Sequence, residues 1–229
     1  MTFRMTDVDA LAANETEAPT TSASASALST LSPAMRLLVL SDGSVTRHLR
    51  VLGKVGETQL EVLRETREEE EEEEERGEEV GFGPPSDVAL LLSAGSLGSG
   101  DAGGSVGGGK RSEKSVIVRR EVYLRAGKAC GEGSDKPAVY ASSWWIKEEL
   151  ERFMPNRSAS MWSNLRNSHV ELHREIREVY CGHNKALEAA FGEPGPFWGR
   201  HYIFWSGGVP ITIVYEVFNP ALRHSLEQR

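Results

Sequence analysis

The clearest pattern in this chain is an alternation of apolar and polar residues through its second half. Val116, Val118, Val122 and Leu124 share one face of the run Val116–Leu124, whose β-branched content predicts a strand. Pro137–Trp145 predicts a second strand after a Gly-rich loop. Gly199–Trp205 and Ile211–Phe218 predict two more, joined around Gly207-Gly208. Ile146–Phe153 reads as a short helix ended by Pro155, and Asn184 caps another over Lys185–Phe191. Trp162–Tyr180 fits either period. Upstream, Pro33 stands before a helix over Ala34–Leu40, Asp42-Gly43-Ser44 reads as a turn, and Val55–Leu63 as a strand. Consecutive strands with tight connections imply an antiparallel sheet with helices to one side: one α+β domain.

The alternation is interrupted. Residues 1–30 form a polar tail expected to be disordered, and residues 223–229 a short C-terminal tail. Residues 65–115 contain the run Glu68–Glu75 and a Gly/Ser-rich stretch, Ser93–Gly109, which repulsion and chain entropy keep solvated. They read as a surface insertion in a domain spanning 31–222, with Val88–Leu92 as an apolar patch able to dock.

Charge changes the picture only locally. The formal net charge is −8, yet residues 61–79 hold 12 of the 34 acidic and three of the 26 basic side chains. The remainder carries 22 acidic against 23 basic groups, and a near-neutral domain without a basic stripe argues against nucleic acid. No apolar run approaches the ~20 residues that span a bilayer. Cys130 and Cys181 lack zinc spacing and make a poor disulfide framework, so an intracellular, reducing compartment is expected. Residues 10–32 have the Ser/Thr/Ala content of a transit peptide, but Asp7, Asp9, Glu15 and Glu17 count against one, leaving plastid and cytoplasm open. A monomer is expected.

The chemistry lies in residues that break the register. Arg120 falls on the same face as Val118 and Val122, while Arg119, Glu121 and Arg125 fall on the other, where solvent can take them. Glu216 lies between Val214 and Phe218 on one face of the last strand. A buried ion costs several kcal/mol unless paired. Either Arg120 and Glu216 neutralise each other in the core, or they face a pocket. In the pocket, Arg120 grips a carboxylate and Glu216 meets a hydroxyl or moves a proton. Other motifs are weaker. Gly104–Lys110 approximates a phosphate loop, but Arg111 stands where Ser or Thr is needed. His169 and His173 lack the metalloprotease order, so no metal site is expected. The tryptophans, Trp144, Trp145, Trp198 and Trp205 among them, read as core or pocket wall.

Three stretches in order resemble the chorismate-pyruvate lyases and related algal plastid reading frames. They are Leu38-Val-Leu-Ser-Asp-Gly-Ser-Val-Thr-Arg47, Arg120-Glu-Val-Tyr-Leu124, and Trp198-Gly-Arg-His201 with Glu216-Val-Phe-Asn-Pro220. The resemblance covers about residues 31–64 and 116–221. It implies a six-stranded antiparallel sheet with flanking helices, and cofactor-free conversion of chorismate to 4-hydroxybenzoate and pyruvate for a quinone pathway. By position it makes Arg120 and Glu216 catalytic and substrate-contacting, and puts Val45 at a hydrophobic substrate contact. Met161-Trp162-Ser163 stands where the family has Pro-Leu-Gly, which places Trp162 at a further substrate contact. It also favours a strand over Leu172–Val179. A second function on the same fold is a non-catalytic binding or sensor domain for aromatic carboxylates.

Overall fold

Alternating segments of the second half pair into an antiparallel sheet in the computed structural model, which describes residues 3–6, 28–52, 58–67, 91, 116–126, 135–167 and 171–227. In chain order the elements are β1 (Phe3–Thr6), α1 (Pro33–Leu40), α2 (Val45–Leu52), β2 (Gln59–Arg67), β3 (Ile117–Arg125) and β4 (Val139–Ile146). There follow α3 (Lys147–Phe153), α4 (Met161–Asn167), β5 (His173–Gly182), α5 (Lys185–Phe191), β6 (Phe197–Ser206), β7 (Val209–Phe218) and α6 (Leu222–Glu227). The strand order is β1-β5-β6-β7-β4-β3-β2. Six strands are those the sequence implied. The seventh, β1, lies within the polar N-terminal stretch and adds an edge to β5, with Phe3 opposite Cys181.

Local chemistry sets the element ends. Ser32 caps α1 by accepting from the Met35 amide at 3.3 Å, with Pro33 in the first turn. Asn184 does the same for α5 through the Leu187 amide at 2.9 Å. Gly207 and Gly208, at φ +57° and +79°, close the two-residue β6–β7 hairpin, a backbone that residues with a Cβ rarely adopt.

Three strands carry an irregularity, in β2, in β5 and in β7 at Ile211, and the one in β5 explains what periodicity left open. In β5, Ile176 pairs with Tyr202 and Glu178 with His201, so Arg177 is extra. Arg174, Ile176 and Val179 therefore share a face despite their odd spacing. Helix α4 precedes this strand, so Trp162–Tyr180 contains both periods, and the strand expected over Leu172–Val179 is present. A bulge between Val62 and Arg64 in β2 likewise turns Glu65 toward Arg120. Strand β2 runs to Arg67, so residues 65–67 of the expected insertion belong to the sheet.

Both faces of the sheet are covered. On one, α1, α2 and α6 pack over Val122, Leu124, Ala141, Val179 and Phe218. Beside them, α3 and α4 pack over Val118, Trp145, Tyr202, Phe204 and Val214. On the other, Leu187 and Phe191 of α5 cover Tyr140, Trp144, Ile213 and Tyr215. This corrects the expectation of helices on one side. It also corrects the placing of Arg119 and Glu121 in solvent: they are 3% and 5% exposed. Burial is tolerated because Glu121 accepts from Arg119 (3.1 Å), from Arg64 (3.0 Å) and from the Tyr140 hydroxyl. Arg125 remains partly exposed and pairs with Glu61 at 2.6 Å.

Leu91, from the apolar patch Val88–Leu92, is fully buried in the α5 cluster. Leu91→Ala is therefore expected to cost about 2–5 kcal/mol, like other large-to-small core changes, measured by denaturant unfolding. A loss under ~0.5 kcal/mol would show that the patch only rests on the surface.

Candidate functional site

Between the two helix clusters on one sheet face lies a cavity, partly open to solvent, whose empty space including that opening is about 570 Å³. Its floor is Arg120, Val122, Ala141, Ser143, Val214, Glu216, Tyr202 and Phe204. Ser44, Val45 and Thr46, at the start of α2, close one side, and Ser160, Met161 and Trp162, at the start of α4, another. The structure thus brings Val45, Arg120, Trp162 and Glu216 to one cavity. Val45 is buried, whereas Trp162 is 38% exposed at the rim.

Arg120 and Glu216 do not pair, which removes the neutral-core alternative. The reason is register. Glu216 lies directly opposite Arg200 of β6, and Arg120 opposite Glu65 of β2. Glu216 accepts from Arg200 Nε at 2.9 Å and from the Tyr202 hydroxyl at 2.9 Å. Arg200 is fully buried and also donates to the carbonyls of Val39 (3.3 Å) and Ser41 (2.5 Å), fastening the end of α1 to the sheet. Burial, and then the Glu216 charge, push the Tyr202 hydroxyl's pKa up, so it remains a donor.

Arg120 is 2% exposed yet only loosely matched. Its NH2 group donates to the Arg157 carbonyl at 2.6 Å, and its Nε lies 3.8 Å from Glu65 without a hydrogen bond. Glu65 is itself shared with Arg157 at 3.8 Å. Burial lowers the Arg120 pKa; Glu65 opposes that shift and Arg157 adds to it. The Arg157 carbonyl is placed by buried Asn164 of α4, which accepts from the Asn156 amide (3.0 Å) and donates to its carbonyl (2.8 Å). Met161-Trp162-Ser163 forms the first turn of α4, capped by Ser160, which accepts from the Ser163 amide at 3.2 Å.

Sequence reasoning missed three participants. Arg200 was legible, since it breaks the apolar face of β6 between Trp198 and Tyr202 as Arg120 does in β3. Tyr202 was hidden by its ordinary place in a strand. Arg174 was hidden by the β5 bulge. It lines the cavity, and its guanidinium lies 4.4 Å from the Tyr202 ring centre and 4.7 Å from that of Phe204. With Glu216 neutralised by Arg200, the cavity presents Arg120 and Arg174 as its excess charge, and an anion suits it. His48, behind α2's first turn, reports this field. Its pKa is lowered by burial and then by Arg200, Arg174 and Arg47. A Cβ at Gly43 would meet the His48 ring at 2.5 Å, so a larger residue there requires that ring to move.

The chorismate pyruvate-lyase family described as Rv2949c-like matches residues 104–226, more than half of the chain. The chain belongs to that family. Curated relatives include the uncharacterized protein ycf21 of Cyanophora paradoxa, 33% identical over 110 residues, covering 48% of this chain and 54% of that protein. The ycf21 protein of Porphyra purpurea is 37% identical over 108 residues, covering 47% and 59%. The chain thus spans little more than half the length of these relatives. Similar solved structures include the effector domain of PhnF from Mycobacterium smegmatis, with TM-score 0.48, 10% identity, and 79% and 91% of the two chains covered. Another is the C-terminal domain of the histidine utilization repressor from Pseudomonas syringae pv. tomato, with TM-score 0.44, 13% identity, and 75% and 97% covered.

Of the remaining motifs, His173 begins a strand, and His169, Cys130 and the segment Gly104–Lys110 lie outside the described residues. Among the described residues no group of three His, Cys, Asp or Glu is placed to hold a metal, and no helix is long and apolar enough to cross a membrane. Cys181 is a free thiol.

Proposed function

We propose that this chain is a chorismate-pyruvate lyase, releasing 4-hydroxybenzoate and pyruvate for quinone-type biosynthesis, with Arg120 and Glu216 as its catalytic pair. The observation that carries this is their arrangement. Both face one cavity, unpaired with each other, and Arg120 holds a buried Nε–H without an acceptor. The family match supports this choice of substrate class. The resemblance to algal plastid reading frames and the ycf21 relatives support a plastid location, which is part of the proposal. A monomer is proposed as well.

Chorismate carries a ring carboxylate, a ring hydroxyl and an enolpyruvyl ether that ends in a second carboxylate. Elimination removes the proton on the hydroxyl-bearing ring carbon. Its electron pair becomes the third ring double bond as the bond from ring carbon to ether oxygen breaks. The departing enolpyruvate takes a proton on its methylene carbon and becomes pyruvate. The reaction is redox-neutral, gains aromaticity, and needs no metal or organic cofactor. The protein's task is orientation and charge stabilisation. Arg120 clamps the ring carboxylate, and Val45 and Trp162 border the ring. Glu216, paired with Arg200 and aimed by Tyr202, accepts from the ring hydroxyl and assists proton removal.

The binding half is tested by titrating 4-hydroxybenzoate calorimetrically. Arg120→Ala is expected to weaken it about tenfold or more, the scale of a lost charged hydrogen bond, while a thermal melt shows the fold intact. Unchanged affinity in a folded Arg120→Ala would remove Arg120 from the site.

A further inference from the structure

The proposed elimination leaves Arg174 without a role, although it is a cation on the cavity wall. Arg120 and Arg174 enter the cavity from opposite sides. One stands on β3 and the other on β5, with β4, β7 and β6 between. Four strand spacings of ~4.8 Å set their backbones about 19 Å apart. The cross-strand row that begins at Arg120 runs through Ser143, Val214 and Tyr202 to Ile176, two residues from Arg174 on β5. Two long side chains reaching inward across such a floor form a two-ended receptor for anions.

The Arg174 guanidinium is held in place but not neutralised. It lies over the Tyr202 and Phe204 rings, and its NH1 group donates to the Gly43 carbonyl in the turn before α2. Its Nε is buried without a hydrogen-bond partner, and no carboxylate among the described residues pairs with it. A cation fixed by rings and a carbonyl keeps its remaining N–H groups for an incoming anion.

We infer that Arg174 is a second carboxylate subsite, which holds the enolpyruvyl carboxylate while Arg120 holds the ring carboxylate. This rests on the lyase reading above. It makes Arg174 the residue that distinguishes the dicarboxylate substrate from the monocarboxylate product. 4-Hydroxybenzoate keeps only the ring carboxylate while the second departs on pyruvate, so the aromatic product makes no contact with Arg174.

The test compares two ligands across three proteins: parent, Arg174→Gln and Arg174→Lys, each first checked by thermal melting. Chorismate is followed by steady-state kinetics and 4-hydroxybenzoate by calorimetric titration. Arg174→Gln is expected to lower kcat/KM for chorismate on the order of tenfold or more while the 4-hydroxybenzoate Kd stays within about threefold. Arg174→Lys keeps the charge but loses the guanidinium fork, and should fall between parent and Arg174→Gln on chorismate alone. If Arg174→Gln does not fold, Arg174→Lys decides by the same split. Equal weakening of both ligands, or no change in either, would overturn the subsite while leaving the lyase reading intact. A parent that neither binds 4-hydroxybenzoate nor consumes chorismate would overturn the lyase reading, and the subsite with it.

Discussion

Arg200→Met is expected to destabilise the fold by about 3–5 kcal/mol, the usual cost of leaving one member of a buried ion pair uncompensated. Arg200 is fully buried and Glu216 is 6% exposed. Removing the guanidinium leaves the Glu216 carboxylate with the Tyr202 hydroxyl as its remaining protein donor, and strips the Val39 and Ser41 carbonyls of theirs. Denaturant unfolding measures the loss. The double variant Arg200→Met/Glu216→Leu should recover much of it, because no charge is then stranded. If Arg200→Met unfolds like the parent, the cavity wall does not depend on this pair, and Glu216 is free to take its charge partner from elsewhere.

Glu216→Gln is expected to reduce turnover of chorismate by about 10²-fold or more, the scale of a lost acid–base group. KM should change little, because the interaction is made mainly in the transition state. Glutamine offers one oxygen where the carboxylate offers two. Either Arg200 Nε–H or the Tyr202 hydroxyl then faces an NH2 group, and some stability is also lost. Tyr202→Phe separates the effects, since it removes one donor and leaves the carboxylate. It should retain turnover within about tenfold. Affinity for 4-hydroxybenzoate in Glu216→Gln should stay within about tenfold while Arg120 holds the carboxylate. Parental turnover in Glu216→Gln would make Glu216 a positioning residue only, with orientation and aromatisation carrying the reaction.

The parts of this molecule that the sequence shows most plainly are those where strict alternation survives. Strands β3 and β4 keep their period along their length, and β7 keeps it from Thr212 to Phe218, beyond the irregularity at Ile211, so Arg120 and Glu216 stand out as charges on apolar faces. The same test applied to Trp198, Arg200, Tyr202 and Phe204 would have exposed Arg200. Alternation names faces, however, and not partners. That Glu216 meets Arg200 rather than Arg120 follows from the β6–β7 register, which depends on a hairpin closed at Gly207-Gly208 and on which strands are neighbours. Where a bulge inserts a residue, as at Arg177, the period itself fails and Arg174 drops out of view. The burial of Arg119 and Glu121 was illegible for another reason. Nothing in β3 states that α5 and Leu91 cover its second face. Helix α2 was missed because Val45–Leu52 mixes two arginines and a histidine among its apolar positions, and its role at the cavity lies in its first turn.

The central claim is that this cavity turns chorismate over, and the direct measurement is to incubate the purified chain with chorismate and quantify both products by chromatography. Expected are 4-hydroxybenzoate and pyruvate in equal amounts, without added metal or cofactor, at a rate that Arg120→Ala and Glu216→Gln each abolish or sharply reduce. Tight binding of 4-hydroxybenzoate by the parent, with no product formed above the uncatalysed rate, would contradict it and make the domain a binding module of the same fold.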